Sequence, residues 1–276
     1  MTDMRFDPGY VQEPYATLVD TYPGDDVYPP DAFRTEWGPM FHRGRLDGTA
    51  RVLVIGQDPA THESICRRIL VGEAGQRTQG LLAKMGITSS YVLVNALLYS
   101  VYGQSGGTKH VNDKSIADYR HAWLNALVAN NDIQAILALG QLADRAYQAW
   151  KETPEGATCA ALYAAVSHPT YPESASRSGS ITKADAFKKL CASWNAALAS
   201  FDGHVTQDQP TELVPYGDTI NKTDLAVIPE FDLPPGLPPW MRSLDAWAGR
   251  TGADAQTKRA TITVAVPRSA RTWPTI

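Results

Sequence analysis

Four residues in three short stretches carry side chains suited to chemistry: Gln57 and Asp58 in VIGQDPA, Asn95 in YVLVNALL, and His168 in AAVSHPT. Each stretch is an apolar run that breaks into polar residues, as a strand covered on both faces does on leaving a sheet. A carboxylate can orient and activate water. An amide offers a donor and an acceptor to a planar ligand, and an imidazole can donate to developing negative charge. Taken singly, each has a structural use: an Asp-Pro turn, a satisfied amide on an apolar strand, a histidine capping the turn before Pro169. Gathered at one edge of a sheet, they make a polar pocket.

The elements that would gather them alternate along the chain. Strands are expected at 51–56, from 91, at 132–140 and at 161–166, and helices at 76–85, 115–130, from 141 and at 183–198. Ile116, Tyr119, Trp123, Leu124 and Leu127 recur at helical spacing. Strands alternating with helices imply an α/β fold, a three-layer α/β/α sandwich with a central, mainly four-stranded parallel sheet. In such sheets ligands bind beyond the carboxyl ends of the strands. Residues 1–48 read as an irregular lead-in to a domain covering 1–204. From 205 to 276 the chain is Pro-rich, with a short strand candidate in ATITVAVP. Trp240 and Trp247 favour an extension packed on the core, because leaving indoles wet is costly.

With 276 residues, 43% of them hydrophobic and 20% charged, the chain can bury a sizeable core. A formal net charge of −4 provides no global basic field, although a local cationic groove can form on an acidic protein. Cys66, Cys159 and Cys191 are widely separated, which gives neither a metal pattern nor a disulfide framework and suits a reducing compartment. With no targeting segment and no apolar run of membrane-spanning length, a cytoplasmic monomer away from membranes is expected.

Over about residues 34–200 these stretches, in order, resemble the uracil-DNA glycosylase superfamily. Its first motif corresponds to Gly56-Gln57-Asp58-Pro59 and its last to His168-Pro169-Thr170, with ILVGEAGQ from Ile69 and YVLVNALL between them. The resemblance implies a monofunctional glycosylase of base excision repair, which hydrolyses the N-glycosidic bond of deoxyuridine in single- or double-stranded DNA after flipping the base into the pocket. Asn95 would read that base, its oxygen accepting from N3–H and its nitrogen donating to O4, the reverse of what cytosine offers. Asp58 would activate water and stabilise the oxocarbenium-like sugar. A neutral His168 would donate to O2 of the leaving uracil, with the backbone N–H of Gln57 on the same oxygen. Thr170, Ser167, Tyr171 and Arg177 would hold DNA, with Ser174, Ser176, Arg67 and Arg68 as further candidates. No lysine stands in these motifs to form a Schiff base, so water is the expected nucleophile, without metal or cofactor.

The sequence also departs from the family. The uracil-restricted branch carries Tyr after GQDP; Ala60 in its place implies tolerance of 5-substituted uracils. Leu70 stands where an aromatic stacks on the flipped base, leaving Tyr99, Tyr102 and Tyr171 as other rings for that role. HPTYPESASRSG lacks the Leu wedge, so Tyr171 wedges the duplex or nothing does. The iron-sulfur branch needs four Cys ligands and this chain has three cysteines, so no cluster is expected. His110, in SGGTKHV, lies where one branch carries a His that bonds covalently to its product, though in a shorter loop. The missing Tyr and stacking ring keep open a non-hydrolytic module that binds lesions or abasic sites on the same fold. A third reading is an enzyme acting on free nucleotides.

Overall fold

The strands form where apolar side chains are needed on both sides of the backbone. A computed structural model of the chain describes residues 8–102 and 107–270. Its main sheet contains β1 (Arg43–Gly44), β2 (Val52–Gly56), β3 (Tyr91–Asn95), β4 (Ala135–Leu139) and β5 (Leu162–Val166), in the order β1-β3-β2-β4-β5. The last four are parallel, and β1 runs antiparallel to β3. Every residue of β2 and β4 is buried, and alternate side chains serve opposite faces. Val52, Val54, Leu93 and Leu137 pack with Leu81, Leu82 and Trp194. Leu53, Ile55, Val92 and Ile136 pack with Trp123, Leu124 and Tyr147.

Besides α1 (Tyr15–Asp20), α2 (Thr61–Cys66), α6 (Pro154–Thr158) and α7 (Tyr171–Arg177), four longer helices form the outer layers. The longer ones are α3 (Glu73–Lys84), α4 (Lys114–Asn130), α5 (Gln141–Lys151) and α8 (Lys183–Phe201). Helices α3 and α8 cover one face, α4 and α5 the other, so the three layers are those the alternation implies. The sheet gains β1, whose two residues have no period to detect. α2 and α7 fall in segments that read as polar loop and turn.

β2 lies between β3 and β4, so the chain leaves it toward one side and later crosses back to the other. A crevice opens at such a switch point, beyond the carboxyl ends of the strands. Two glycines permit the close approach there. A Cβ on Gly56 would collide with Asn95 Oδ1. One on Gly140, whose φ is 89°, would lie 2.5 Å from Gln57 Nε2 and 3.0 Å from the His168 Cβ.

The segment after 204 is tied to the core by acidic side chains. Burial alone would raise the Asp208 carboxyl, but the N–H groups of Ser90, Ser89 and Thr88, at 3.0, 2.8 and 2.7 Å, hold it down at about 2. Asp232 is buried, with Oδ2 2.7 Å from Arg43 Nη1 and accepting the Tyr91 hydroxyl at 2.6 Å. Trp247 packs with Cys66, Val71, Ile228 and Leu233. Among the described residues, no helix is long and apolar enough to cross a membrane.

Removing one partner of a fully buried ion pair strands the other charge. Asp232→Ala should therefore lower stability by about 3–5 kcal/mol, read as a shift of the urea midpoint.

Candidate active site

The four parallel strands deliver their next residues to one edge. Gln57 and Asp58 follow β2, Asn95 ends β3, Gly140 follows β4, and Ser167 and His168 follow β5. Backbone pairing continues past the strands: Leu97 N–H donates to Gln57 O at 2.9 Å and Gly140 N–H to Val166 O at 2.8 Å. The platform is rigid up to its reactive side chains. Asn95 Oδ1 and Leu70 Cδ1 are both neighbours of Gly56. Both polar atoms of the Asn95 amide are buried and have no hydrogen-bond partner among the described residues. An unsatisfied buried polar group costs about 1–3 kcal/mol, a cost that a ligand pairing with both amide atoms would remove.

Asp58 follows β2 at this edge and is half-buried. Burial, the largest influence, raises its pKa to about 7; the Val101 N–H opposes this, the Glu63 charge adds to it, and the Arg250 charge opposes it. Glu63 is itself fixed by accepting the N–H groups of Ala60 at 3.1 Å and Val71 at 3.0 Å. A carboxyl with a pKa near neutrality is matched to taking a proton from water.

His168 is oriented by the turn that follows it. Its Nδ1 accepts the Thr170 N–H at 3.2 Å and lies 3.0 Å from the Thr170 hydroxyl. Acceptance at Nδ1 assigns the ring proton to Nε2. Burial, and then the Arg77 charge, push the imidazole down to about 4, so it is a neutral donor at physiological pH. Arg77 is buried and anchors the turn, donating to Pro169 O at 2.5 Å and to both Glu173 oxygens at 3.0 Å. From α8, Trp194 Nε1 donates to Ser167 O at 2.9 Å, and Ser193 Oγ accepts the Ser167 N–H at 3.0 Å.

The remaining candidates divide. Gln57 lies over Gly140 beside His168, and Ala60 is exposed. Leu70 is buried with φ at 52°, an uncommon backbone for a branched residue. Tyr171, half-buried, opens α7, and Arg177 is exposed at its end. The hydroxyls of Ser174 and Ser176 donate to the carbonyls of Tyr171 and Pro172. Arg67 donates to Trp37 O and Pro39 O, and Arg68 to Arg67 O. These arginines brace loops, which corrects their expected place in a cationic groove. Tyr99 is buried with its hydroxyl on Pro23 O. His110 Nδ1 is 2.6 Å from Asp113 Oδ2; Ser105 and Gly106 of its loop lie outside the described residues. Among the described residues, no three His, Cys, Asp or Glu side chains are grouped to hold a metal ion.

Sequence reasoning missed Glu63, Arg77 and Arg250. Only the Glu73–Arg77 spacing, which closes as a 2.5 Å ion pair, left a trace.

The Asp58 shift has a stability consequence. Its folded pKa, about 7, exceeds the ordinary aspartate value of about 4, so between these values the folded state holds a proton that the unfolded chain releases. Stability falls as pH rises through that window. Asp58→Asn should stabilise the protein at pH ~8 by up to about 4 kcal/mol, and the gain should vanish below pH ~4. Urea midpoints at the two pH values measure it.

Compared with known proteins, the sequence model of the Uracil DNA glycosylase superfamily matches residues 43–194, a span that includes Gln57, Asp58, Asn95 and His168. No curated protein matches the chain.

Proposed function

The chain belongs to the uracil DNA glycosylase superfamily, and on that premise we propose that it is a monofunctional uracil-DNA glycosylase of base excision repair. Membership supports a DNA glycosylase of the hydrolase type; uracil as the base is our reading. The observation that carries it is the unpartnered Asn95 amide at the sheet edge where Asp58 and His168 also follow their strands. Flipped uracil would satisfy both amide atoms, whereas cytosine would set donor against donor and acceptor against acceptor.

The reaction then follows from the placement of the groups. As the bond between C1′ and N1 breaks, its electron pair stays with the base and the negative charge spreads to O2. The Nε2–H of His168 donates to that oxygen without needing a charged ring. Ionised Asp58 stabilises the cationic sugar and takes a proton from the water that attacks C1′. The products are free uracil and an abasic sugar in an unbroken strand. Leu70 supplies an apolar face to the base in place of a ring. Exposed Ala60 erects no wall at C5, which favours tolerance of 5-substituted uracils.

Release of uracil from a labelled single-uracil oligonucleotide tests the reading. Wild type should leave an intact, alkali-labile strand, and Asp58→Asn, His168→Ala and Asn95→Ala should each lose at least ~100-fold. Wild-type binding to uracil or abasic DNA without release would sink the enzyme and leave the lesion-binding module. Because the base form of Asp58 is the active one, kcat/KM should rise about tenfold per pH unit below ~7 and level off above it, with no inflection from His168 near ~6.5. Ala60→Tyr should depress release of 5-methyluracil relative to uracil, measured as the ratio of kcat/KM values.

A further inference from the structure

The segment beyond residue 204 reaches the mouth of the crevice. β6 (Ala248–Gly249) and β7 (Thr263–Val264) form a two-stranded ribbon, and α9 (Ala255–Arg259) lies between them in sequence. The ribbon is fastened to α2, which follows Asp58 directly. Ala248 N–H donates to His62 Nε2 at 3.2 Å, and the Trp247 ring meets the His62 ring edge-on at 4.8 Å.

This attachment brings two arginines to a third. The Arg34 guanidinium lies 4.3 Å from the ring centres of both Trp37 and Tyr102. Arg250 stands 5.3 Å from the Trp37 ring and Arg259 5.7 Å from the Tyr102 ring. Tyr102 N–H is bonded to Ala32 O at 2.8 Å, and the preceding residue, Val101, gives its N–H to Asp58. One short segment therefore links the arginine group to the catalytic carboxyl.

Among the described residues, the three cations of this group have one carboxylate, Glu36, within ion-pair distance. Arg34 is fully buried, its Nη1 donates to Arg259 O, and its Nε and Nη2 have no partner among the described residues. The carboxylate of Glu36 is 4.0 Å from Arg34 Nη1 and accepts the Tyr102 hydroxyl at 2.7 Å. Burial and then the Arg250 charge, with Arg259 contributing, hold the Arg34 guanidinium below its ordinary value. Three mutually repelling guanidiniums beside a reaction centre ask for an anion.

We propose that Arg250 and Arg259, seated against the buried cation of Arg34, form a clamp for a phosphodiester of the DNA strand, so that the C-terminal segment completes the nucleic-acid surface of the site. The clamp rests on the glycosylase reading for its ligand. A sugar whose C1′ faces Asp58 carries a phosphodiester on either side, and a cation beside Asp58 meets one of them. The aromatic rings hold the guanidiniums flat, and the contact carries no sequence information.

The test is binding of the full chain to a short, labelled, uracil-free single-stranded oligonucleotide over a range of salt. Arg250→Gln with Arg259→Gln should weaken binding by about tenfold and reduce the slope of log K against log salt by about 0.7 per arginine. Lys222→Gln, which removes one charge elsewhere in the same segment, should leave the slope unaltered. Arg250→Lys with Arg259→Lys should retain most of it, which separates loss of charge from loss of fold. An unchanged slope in the double Gln variant, or an equal loss in Lys222→Gln, overturns the clamp. Displacement by deoxyuridine monophosphate as effective as by unlabelled oligonucleotide at equal phosphate concentration overturns it in favour of a free nucleotide. Uracil is not needed for this binding, so a wild type that shows the slope change yet releases no uracil keeps the clamp and loses the glycosylase.

Discussion

Desolvation of the Asp58 carboxyl governs the arrangement around it. A carboxyl in water ionises near pH 4 and is a poor base; half-buried at this edge and desolvated by its neighbours, it is raised to about 7. A cation in direct contact would undo that shift, and among the described residues none takes that position. The nearest basic influence, Arg250, acts through its field and ranks below both burial and the Glu63 charge. Glu63 adds a like charge while its own oxygens are occupied by two backbone N–H groups. Under the proposed reading, His168 completes the division of labour. Its environment depresses the pKa where that of Asp58 raises it, so base and neutral donor coexist at one pH.

Such a carboxyl is costly, and the sheet beneath it compensates. The fully buried pentads of β2 and β4 fix the platform, and their neighbours on both faces leave it little freedom to relax. The same rigidity explains the glycines. Asn95 can lean over the end of β2 only because Gly56 has no side chain, and Gln57 can lie beside His168 only because Gly140 has none. Arg77 extends this logic to the last strand, tying the His168 turn to α3 through Pro169 and Glu173. The reactive groups come from separate strands but are held as one body.

The parts of this plan that repeat at short range could be read from the sequence. Apolar runs ending in polar residues located β2 to β5, and the polar residues at their tips included Asp58, Asn95 and His168. Helical spacing located α4 and α8, with boundaries displaced by a few residues. What escaped has no local period. β1 is two residues long, and α2 and α7 are six and seven residues within polar segments. Arg67 and Arg68 read as candidates for holding DNA because nothing in sequence says that carbonyls of Trp37, Pro39 and Arg67 await them. Arg77 and Glu63 drew no reading, since burial of a charged side chain depends on partners distant in the chain.

The C-terminal segment shows how far that limit reaches. Its prolines and indoles suggested packing, but not what the packing accomplishes. Asp232 seals Arg43 at the sheet edge, Asp208 caps the turn before β3, and Trp247 seats the ribbon on α2. Each contact is structural, yet together they fix where Arg250 stands relative to Asp58. A positive field there works in two directions. It slightly eases ionisation of the base in the empty site, and it would be neutralised by an arriving phosphate, whose own charge would push the Asp58 pKa upward again. Under the proposed reading, binding of the strand therefore strengthens the base at the moment its water is positioned. The conflict among the three guanidiniums, unfavourable in isolation, is then relieved by the ligand that the site is built to receive.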